Sequence, residues 1–362
     1  YFSYDIIRYI ENIPDRCKND ITIPDVRILR PNNLIIYDNI NKQIYYIQNY
    51  FKDSKIKNLI NEYEKIKKEF QMLDFFKEIN FPEKITFKKN RNKIKSNINK
   101  KKFKSMVLKA KKYIAKGDVF QVVLSQRFER KIEKKPLEIY NYLRKSNPSP
   151  FMFFFNFKDF KILGSSPEIL VRLRNNTVTV RPIAGTRPRG KNKFFDKKFK
   201  NELLRDEKEL AEHLMLLDLG RNDVGKVSKI NSVKVTESFK VEKYSHVMHI
   251  VSNVEGKFNQ KVSTFEALLS GFPAGTVSGA PKIRAMEVID ELEKNRRNLY
   301  AGGIGYFTPN NEFDTCIALR TALIKDNKFY VQAGAGVVAD SKPEKEYIET
   351  INKAKALMRA VD

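Results

Sequence analysis

Two stretches with helical patterning each carry a pair of glutamates three residues apart. In "DEKELAEHLMLLDLGRND" they are Glu209 and Glu212; in "EKEYIET", near the end of the chain, they are Glu346 and Glu349. A spacing of i and i+3 puts each pair on one helix face. Four such carboxylates could hold Mg²⁺, which takes hard oxygen ligands and keeps several waters. Two solvated faces with lysine neighbours are the plain alternative, and neither helix by itself says that the two meet. A fifth acid, Glu168, follows a Gly-Ser-Ser-Pro turn in "ILGSSPEIL". A carboxyl set among apolar strand residues has its pKa raised and can serve as a general acid. On a solvated rim it would be an ordinary glutamate.

The chain has only three histidines, His213, His246 and His249. In "YSHVMHIVSNVEG" an extended backbone would point His246 and His249 to opposite faces, so they would not share a metal. One of them could be an oriented acid–base group, with a satisfied structural histidine as the alternative. Arg320 lies among apolar residues in "CIALRTALI", where a charge is costly without a partner and where a guanidinium fork suits a carboxylate. The stretches "FPAGTVSGAPK" and "VQAGAGVV" let a ligand approach backbone N–H groups, yet neither has the spacing of a phosphate-binding loop or a dinucleotide fingerprint. "RPIAGTRPRG" (181–190) sets three arginines around a Gly-Thr pair. Together these residues point to a small ligand bearing carboxylates.

The elements that must position them read as α+β with largely antiparallel sheets, since strands come in runs rather than in strict alternation with helices. Strands are expected at "NNLIIYD", "KQIYYIQNY", "VFQVVLSQRFER", "FMFFFNF", "DFKILGSS", "TVTVRPIAGT", "FDTCIALRTALI" and "KFYVQAGAGVV", the last two joined as a hairpin across "KDN". Helices are expected over about 55–76, around "SMVLKAKKYIAKGD", at "PLEIYNYLRKS", as one long run through "FKNELLRDEKELAEHLMLLDLGRND", at "TFEALLSGF" and "PKIRAMEVIDELE", and at the C-terminus. The 362 residues include 26 Phe and 16 Tyr, enough for a sizeable core. No apolar run reaches the length of about 18 residues that a membrane span needs, and two cysteines, Cys17 and Cys316, make neither a disulfide framework nor a metal motif. A reducing, cytoplasmic setting and no membrane association are expected. The formal charge of +26 would attract polyanions. However, Lys, Asn and Ile are enriched even in loop-like stretches, as a compositional bias would produce. The basic run 88–104 holds one aromatic, Phe103, and so offers no stacking platform for nucleic acid.

These stretches, in this order, resemble the chorismate-utilising enzymes, and within them the branch of anthranilate synthase large subunits. The signatures are "GDVFQVVLSQRF", "NPSPFMFFF", "GSSPE", "RPIAGTRPRG", "DEKELAEHLMLLDLGRNDVGKVS", "VMHIVSNVEG", "FPAGTVSGAPKIRAMEVIDELE", "GGIGYF", "ALRTALI" and "QAGAGVVADSKPEKEYIET". The resemblance runs almost from Tyr1 to the C-terminus, strongest over 103–362. It implies one synthase domain over 1–362, with two large antiparallel sheets packed as a sandwich and flanked by helices. It also implies that the sequence begins inside a longer chain, without the serine-bearing segment that in relatives helps to bind tryptophan.

By matching motif, Glu212, Glu346, Glu349 and Glu209 are implied at an Mg²⁺ ion, Glu168 as the general acid and His249 as the active-site histidine. Gly185, Thr186, Thr276, Tyr300, Arg320, Gly334, Gly336 and Lys353 are implied around chorismate. Asn147, Pro148, Ser149, Pro150, Phe151 and Met152 would form the remaining wall of a tryptophan feedback site. A glutamine amidotransferase subunit would supply ammonia. Two positions sort the branches. Isochorismate and salicylate synthases carry a water-activating lysine where this chain has Gln121, and aminodeoxychorismate synthases carry a nucleophilic lysine where it has Ala184. Direct attack by ammonia, hence anthranilate, is the expectation. The alternatives are an aminodeoxychorismate synthase component that lost its lysine, a basic nucleic-acid-binding protein, and a non-catalytic ligand-sensing relative.

Overall fold

The β-branched and aromatic runs assemble into two seven-stranded sheets, every pairing of which is antiparallel. The structure is a computed structural model that describes residues 1–51, 59–72, 93–244 and 247–361. It divides into a unit of Tyr1–Val26 with Phe87–Asp362, which holds both sheets, and a smaller unit, Arg27–Thr86. In the smaller unit the two expected strands pair as a hairpin, Asn33–Asp38 with Gln43–Gln48, and the expected helix is present over Leu59–Met72. The outer parts of that expectation, 55–58 and 73–76, lie outside the described residues, as do positions 88–92 of the basic run and His246.

In the larger unit the first sheet runs Lys234–Lys243, Val247–Lys257, Thr177–Val180, Ile169–Arg174, Phe313–Ile317, Gly303–Phe307, with Ile183–Pro188 also paired to Val247–Lys257. The second runs Gly279–Ala280, Gln121–Lys131, Lys328–Val337, Thr321–Lys325, Lys161–Ser166, Phe151–Asn156, with Lys95–Ser96 on Gln121–Lys131. Ile304 and Cys316 of the first sheet share a buried cluster with Ile162 and Leu323 of the second. Helix Lys100–Ala115 buries Phe103, Met106, Val107 and Ala110 against Val122, Leu124 and Val337, and helix Pro343–Arg359 buries Leu357 and Met358 among the same sheet's apolar side chains. The expected hairpin across "KDN" is present: Asp326 and Asn327 take φ of +50° and +56°, as a two-residue type I′ turn requires. Among the described residues no helix is long and apolar enough to cross a membrane.

Three expected elements are divided, and two of the divisions build the site. "FDTCIALRTALI" is not one strand: Phe313–Ile317 belongs to the first sheet and Thr321–Lys325 to the second. The chain crosses between them at 318–320, where Arg320 has a φ of +48° that no strand accommodates. A second crossing, at Pro167 and Glu168, joins Lys161–Ser166 to Ile169–Arg174, and proline cannot donate to a ladder. The crossings bind each other. Ile317 N donates to Glu168 O (3.0 Å), Ser165 N to Arg320 O (3.1 Å) and Ser166 Oγ to Ile317 O (2.7 Å). "TVTVRPIAGT" is likewise interrupted at Arg181–Pro182, although both halves pair with Val247–Lys257. The long acidic run is two helices, Lys193–Leu203 and Glu207–Gly225, because Asp206 caps the second by accepting from Glu209 N.

Candidate active site

The paired crossings place Glu168 and Arg320 side by side at the junction of the sheets. Glu168 is 7% exposed, and burial pushes its carboxyl up to about 8 despite the opposing pull of Thr276, Arg320, the Ile183 N–H and Lys353. The carboxyl is therefore protonated at neutral pH, the state a general acid needs. Thr276, in the one-turn helix Gly275–Ser278, donates its hydroxyl to Glu168 Oε1 (2.9 Å). A small cleft borders both residues, with Leu170, Leu216, Leu219 and Gly220 also in its lining. Among the described residues the Arg320 guanidinium makes no ion pair or side-chain hydrogen bond. It faces Glu168 and Tyr244, and burial lowers its pKa. A half-buried arginine without a counter-ion is suited to a carboxylate ligand.

His249 owes its orientation to a bulge. Opposite His249 and Ile250 the partner strand supplies Thr186 and Ala184, leaving Gly185 as the extra residue at φ +65°. The Gly185 carbonyl is turned to within 2.9 Å of His249 Nδ1, and Thr186 Oγ1 is 3.1 Å from the same nitrogen. Nδ1 therefore carries the proton. Burial lowers the pKa, so the ring is neutral at pH 7 and Nε2 keeps a free lone pair. Tyr244 meets the ring edge-on at 5.4 Å and donates its hydroxyl to Glu242. No spacing in the sequence marked Tyr244. His213, fully buried with Nε2 2.7 Å from Ser252 Oγ, is the structural histidine of the set.

The three arginines of "RPIAGTRPRG" are structural supports. Arg181 pairs with Glu237 and Glu242, Arg187 with Asp206 and Glu209, and Arg189 with Asp196. The centre of that stretch, Ala184 to Thr186, faces the histidine.

The second sheet contributes a floor without side chains. A methyl group on Gly336 would lie 2.5 Å from Gln121 Nε2, and one on Gly334 would lie 2.6 Å from the Tyr300 hydroxyl. Glycine at both positions admits those two polar groups. Gln121, 3% exposed, spans to the other half of the unit by donating to Glu212 Oε1 (2.8 Å). Lys353 donates to Gly334 O (3.0 Å) and pairs with Glu349 (2.7 Å).

The acidic faces of the two helices come near enough for their charges to interact. Burial raises the Glu212 pKa, with further upward contributions from the charges of Glu209 and Glu349. Burial raises that of Glu346 too, again with Glu349 adding to it. Glu209 is committed to Arg187 (2.9 Å), and among the described residues no three His, Cys, Asp or Glu side chains converge as ligands of one ion. Neighbouring carboxylates, of which Glu346 is buried and Glu212 half-buried, nevertheless fit the chemistry of a hydrated Mg²⁺, which needs only one or two of them and keeps its waters.

The expected inhibitor wall abuts the strand that leads into the Glu168 crossing. Asn147 caps helix Pro136–Ser146 and its carbonyl accepts from Ser165 Oγ; Pro148 to Pro150 form the turn; Phe151 and Met152 lie opposite Ser166 and Ser165.

Comparison with known proteins places the chain in a family and matches its fold. The model of the chorismate binding enzyme family matches residues 1–359. Anthranilate synthase component 1 of Cereibacter sphaeroides is 49% identical over 366 residues, covering 100% of this chain and 73% of that protein. The crystal structure of anthranilate synthase component I from Streptococcus pneumoniae superimposes with a TM-score of 0.89 at 39% identity, covering 99% of this chain and 79% of that one. A putative 2,3-dihydroxybenzoate-specific isochorismate synthase from Bacillus anthracis gives a TM-score of 0.68 at 26% identity over 75% of each chain.

Proposed function

The chain belongs to the chorismate binding enzyme family, and on that premise we propose that it acts as the synthase component of an anthranilate synthase. It would convert chorismate and ammonia to anthranilate, pyruvate and water. One observation carries the reading: Glu168, buried and with its carboxyl pushed up to about 8, stands beside Arg320, which among the described residues makes no ion pair. Hydroxide is a poor leaving group, and a positioned acid that protonates it lowers that barrier. Glu168 gives its proton to the departing ring hydroxyl while ammonia adds to the ring. The carboxylate so formed is buried next to the Arg320 charge. His249, neutral and with Nε2 free, accepts the ring proton as the C–O bond to the enolpyruvyl group breaks and the ring becomes aromatic, and it returns that proton to the methylene carbon of the departing enolate, which leaves as pyruvate. Arg320 and Lys353 orient the substrate carboxylates. Mg²⁺, held by Glu212 and Glu346 with Glu349 beside them, would polarise the ring carboxylate.

Ala184 has no nucleophile to form a ring adduct, and Gln121 cannot deprotonate water, so ammonia is the nucleophile that remains. No residue favours the aminodeoxychorismate alternative. The ammonia would come from a separate glutamine amidotransferase subunit. Burial pushes both thiols, Cys17 and Cys316, up to about 12, which leaves neither as a glutaminase nucleophile. The Asn147–Met152 wall would carry tryptophan feedback, and the cytoplasm is the fitting compartment for buried free thiols. The test is incubation with chorismate, Mg²⁺ and ammonium. Anthranilate fluorescence supports the reading, 4-amino-4-deoxychorismate would move it to the sister reaction, and absence of turnover by the full-length enzyme would defeat it.

A further inference from the structure

Behind the floor of the site lies an ion pair that touches none of the reacting groups. Arg297 is 2% exposed and Glu293 8%. Arg297 Nε donates to Glu293 Oε2 (3.0 Å) and Nη2 to Glu293 Oε1 (2.7 Å). The guanidinium has further donors, and they go to backbone carbonyls of two separate elements: Nη1 to Val277 O and Nη2 to Val123 O, each at 2.7 Å. Val277 follows Thr276 in its one-turn helix, and Val123 is two residues from Gln121 on its strand. The ring of Tyr300 lies 5.5 Å from the guanidinium carbon, and that of Tyr4 4.8 Å. Glu293 extends the network by accepting from both the N–H and the hydroxyl of Ser125, the residue opposite Gly334.

A helix of one turn has little intrinsic persistence and stays where neighbouring groups hold it. A buried pair is a weak source of net stability, because desolvation offsets the attraction. Its forked geometry can instead fix three elements in one arrangement. We infer that Arg297 is a positioning residue for the reaction: its fork holds the Thr276 helix, the Gln121 strand and the Tyr300 ring in register, and so aims the Thr276 hydroxyl at Glu168. The inference rests on the assignment of Glu168 as the acid.

The test is a double-mutant cycle on anthranilate formation by the full-length enzyme with ammonium: Arg297→Lys and Thr276→Val, singly and together. Lysine keeps the charge but cannot reach Glu293, Val123 and Val277 at once. R297K should lower kcat/KM on the order of a hundredfold, the scale of an ångström-sized misplacement, and the double variant should be no worse than R297K alone. T276V removes the hydrogen bond that lowers the Glu168 pKa, so the alkaline limb of the pH profile should move upward in it and in R297K alike. The charges of Arg320 and Lys353, which also face Glu168, are untouched by either change. Additive losses would overturn the positioning role. Should R297K fail to fold, Glu293→Gln takes its place in the cycle, since it keeps an acceptor for Arg297 while removing the charge, and the same two outcomes decide. A limb unmoved in T276V would defeat the acid assignment alone; the coupling between Arg297 and Thr276 would still be read from the cycle.

Discussion

Replacing Glu168 by glutamine should stabilise the protein while disabling it. The carboxyl titrates at about 8 in the folded chain against an ordinary 4.5, because burial disfavours its charge. The unfolded chain therefore releases this proton near pH 4.5 while the folded chain retains it. Folding stability is lost progressively as pH rises from about 4.5 to about 8. At pH 7 the interval above 4.5 is about 2.5 pH units, which at about 1.36 kcal/mol per unit is a deficit of about 3 kcal/mol, growing to about 5 above pH 8. Glutamine offers the same carbonyl acceptor to the Thr276 hydroxyl and carries no titrating proton. Glu168→Gln should accordingly match the wild type in urea unfolding at pH 4.5 and exceed it by about 3 kcal/mol at pH 7. Anthranilate formation should fall by about 10²–10⁴, the range for loss of a general acid. Parallel stability curves from pH 4.5 to 8, or a variant that turns over normally, would refute both the protonation state and the role built on it.

Gly185→Ala places a Cβ at φ +65° and 3.2 Å from Glu209 Oε2. It should cost about 1–2 kcal/mol, and by moving the carbonyl off Nδ1 it should alter the His249 tautomer in ¹⁵N NMR spectra. Arg320→Gln should raise KM for chorismate at least tenfold with a smaller change in kcat; an unchanged KM would remove Arg320 from substrate recognition. Ala184→Lys puts a long cation at a buried position beside Gly185 and should divert or abolish anthranilate formation, so undiminished output would end its reading as a branch marker. Chelation should abolish turnover and added Mg²⁺ restore it. Calorimetric titration with Mg²⁺ alone should show weakened binding in Glu346→Gln, and equal affinity would exclude that ligand.

Local pattern carried much of this architecture. Helices Lys100–Ala115, Pro136–Ser146 and Pro343–Arg359 fell where apolar spacing put them, as did the hairpin at Asp326–Asn327. The divided elements were not legible, because an apolar run keeps its strand character whether or not the chain leaves one sheet for another within it. Nothing in the composition of "CIALRTALI" distinguishes continuation at Arg320 from a crossing; only pairing with residues about 150 positions away along the chain decides it. The helix break at Asp206 was within reach, since an aspartate three residues before a glutamate is a capping signal. The acidic pairs could be named from spacing alone. That Glu209 is held by Arg187 and Glu212 by Gln121 follows from tertiary packing, which spacing does not encode.

Where the fold departs from regular structure is also where its candidate catalytic groups sit, and one cause accounts for both. A residue inside a ladder spends its backbone on neighbouring strands, and its side chain alternates into a core or into solvent. At a crossing between sheets the backbone is released from that pattern, so the side chain of Glu168 can turn into an enclosed space without passing through a packed layer. Arg320 pays for the neighbouring position with a left-handed φ, a strain of about 1–3 kcal/mol, and with a charge that among the described residues makes no ion pair. Neither feature would persist in a marginal structure. Here the two crossings hydrogen-bond to each other, so neither can relax without disrupting the other. A substrate carboxylate that pairs with Arg320 would then relieve part of a cost already present in the empty site, which is how a rigid fold favours binding of the molecule it is built to transform.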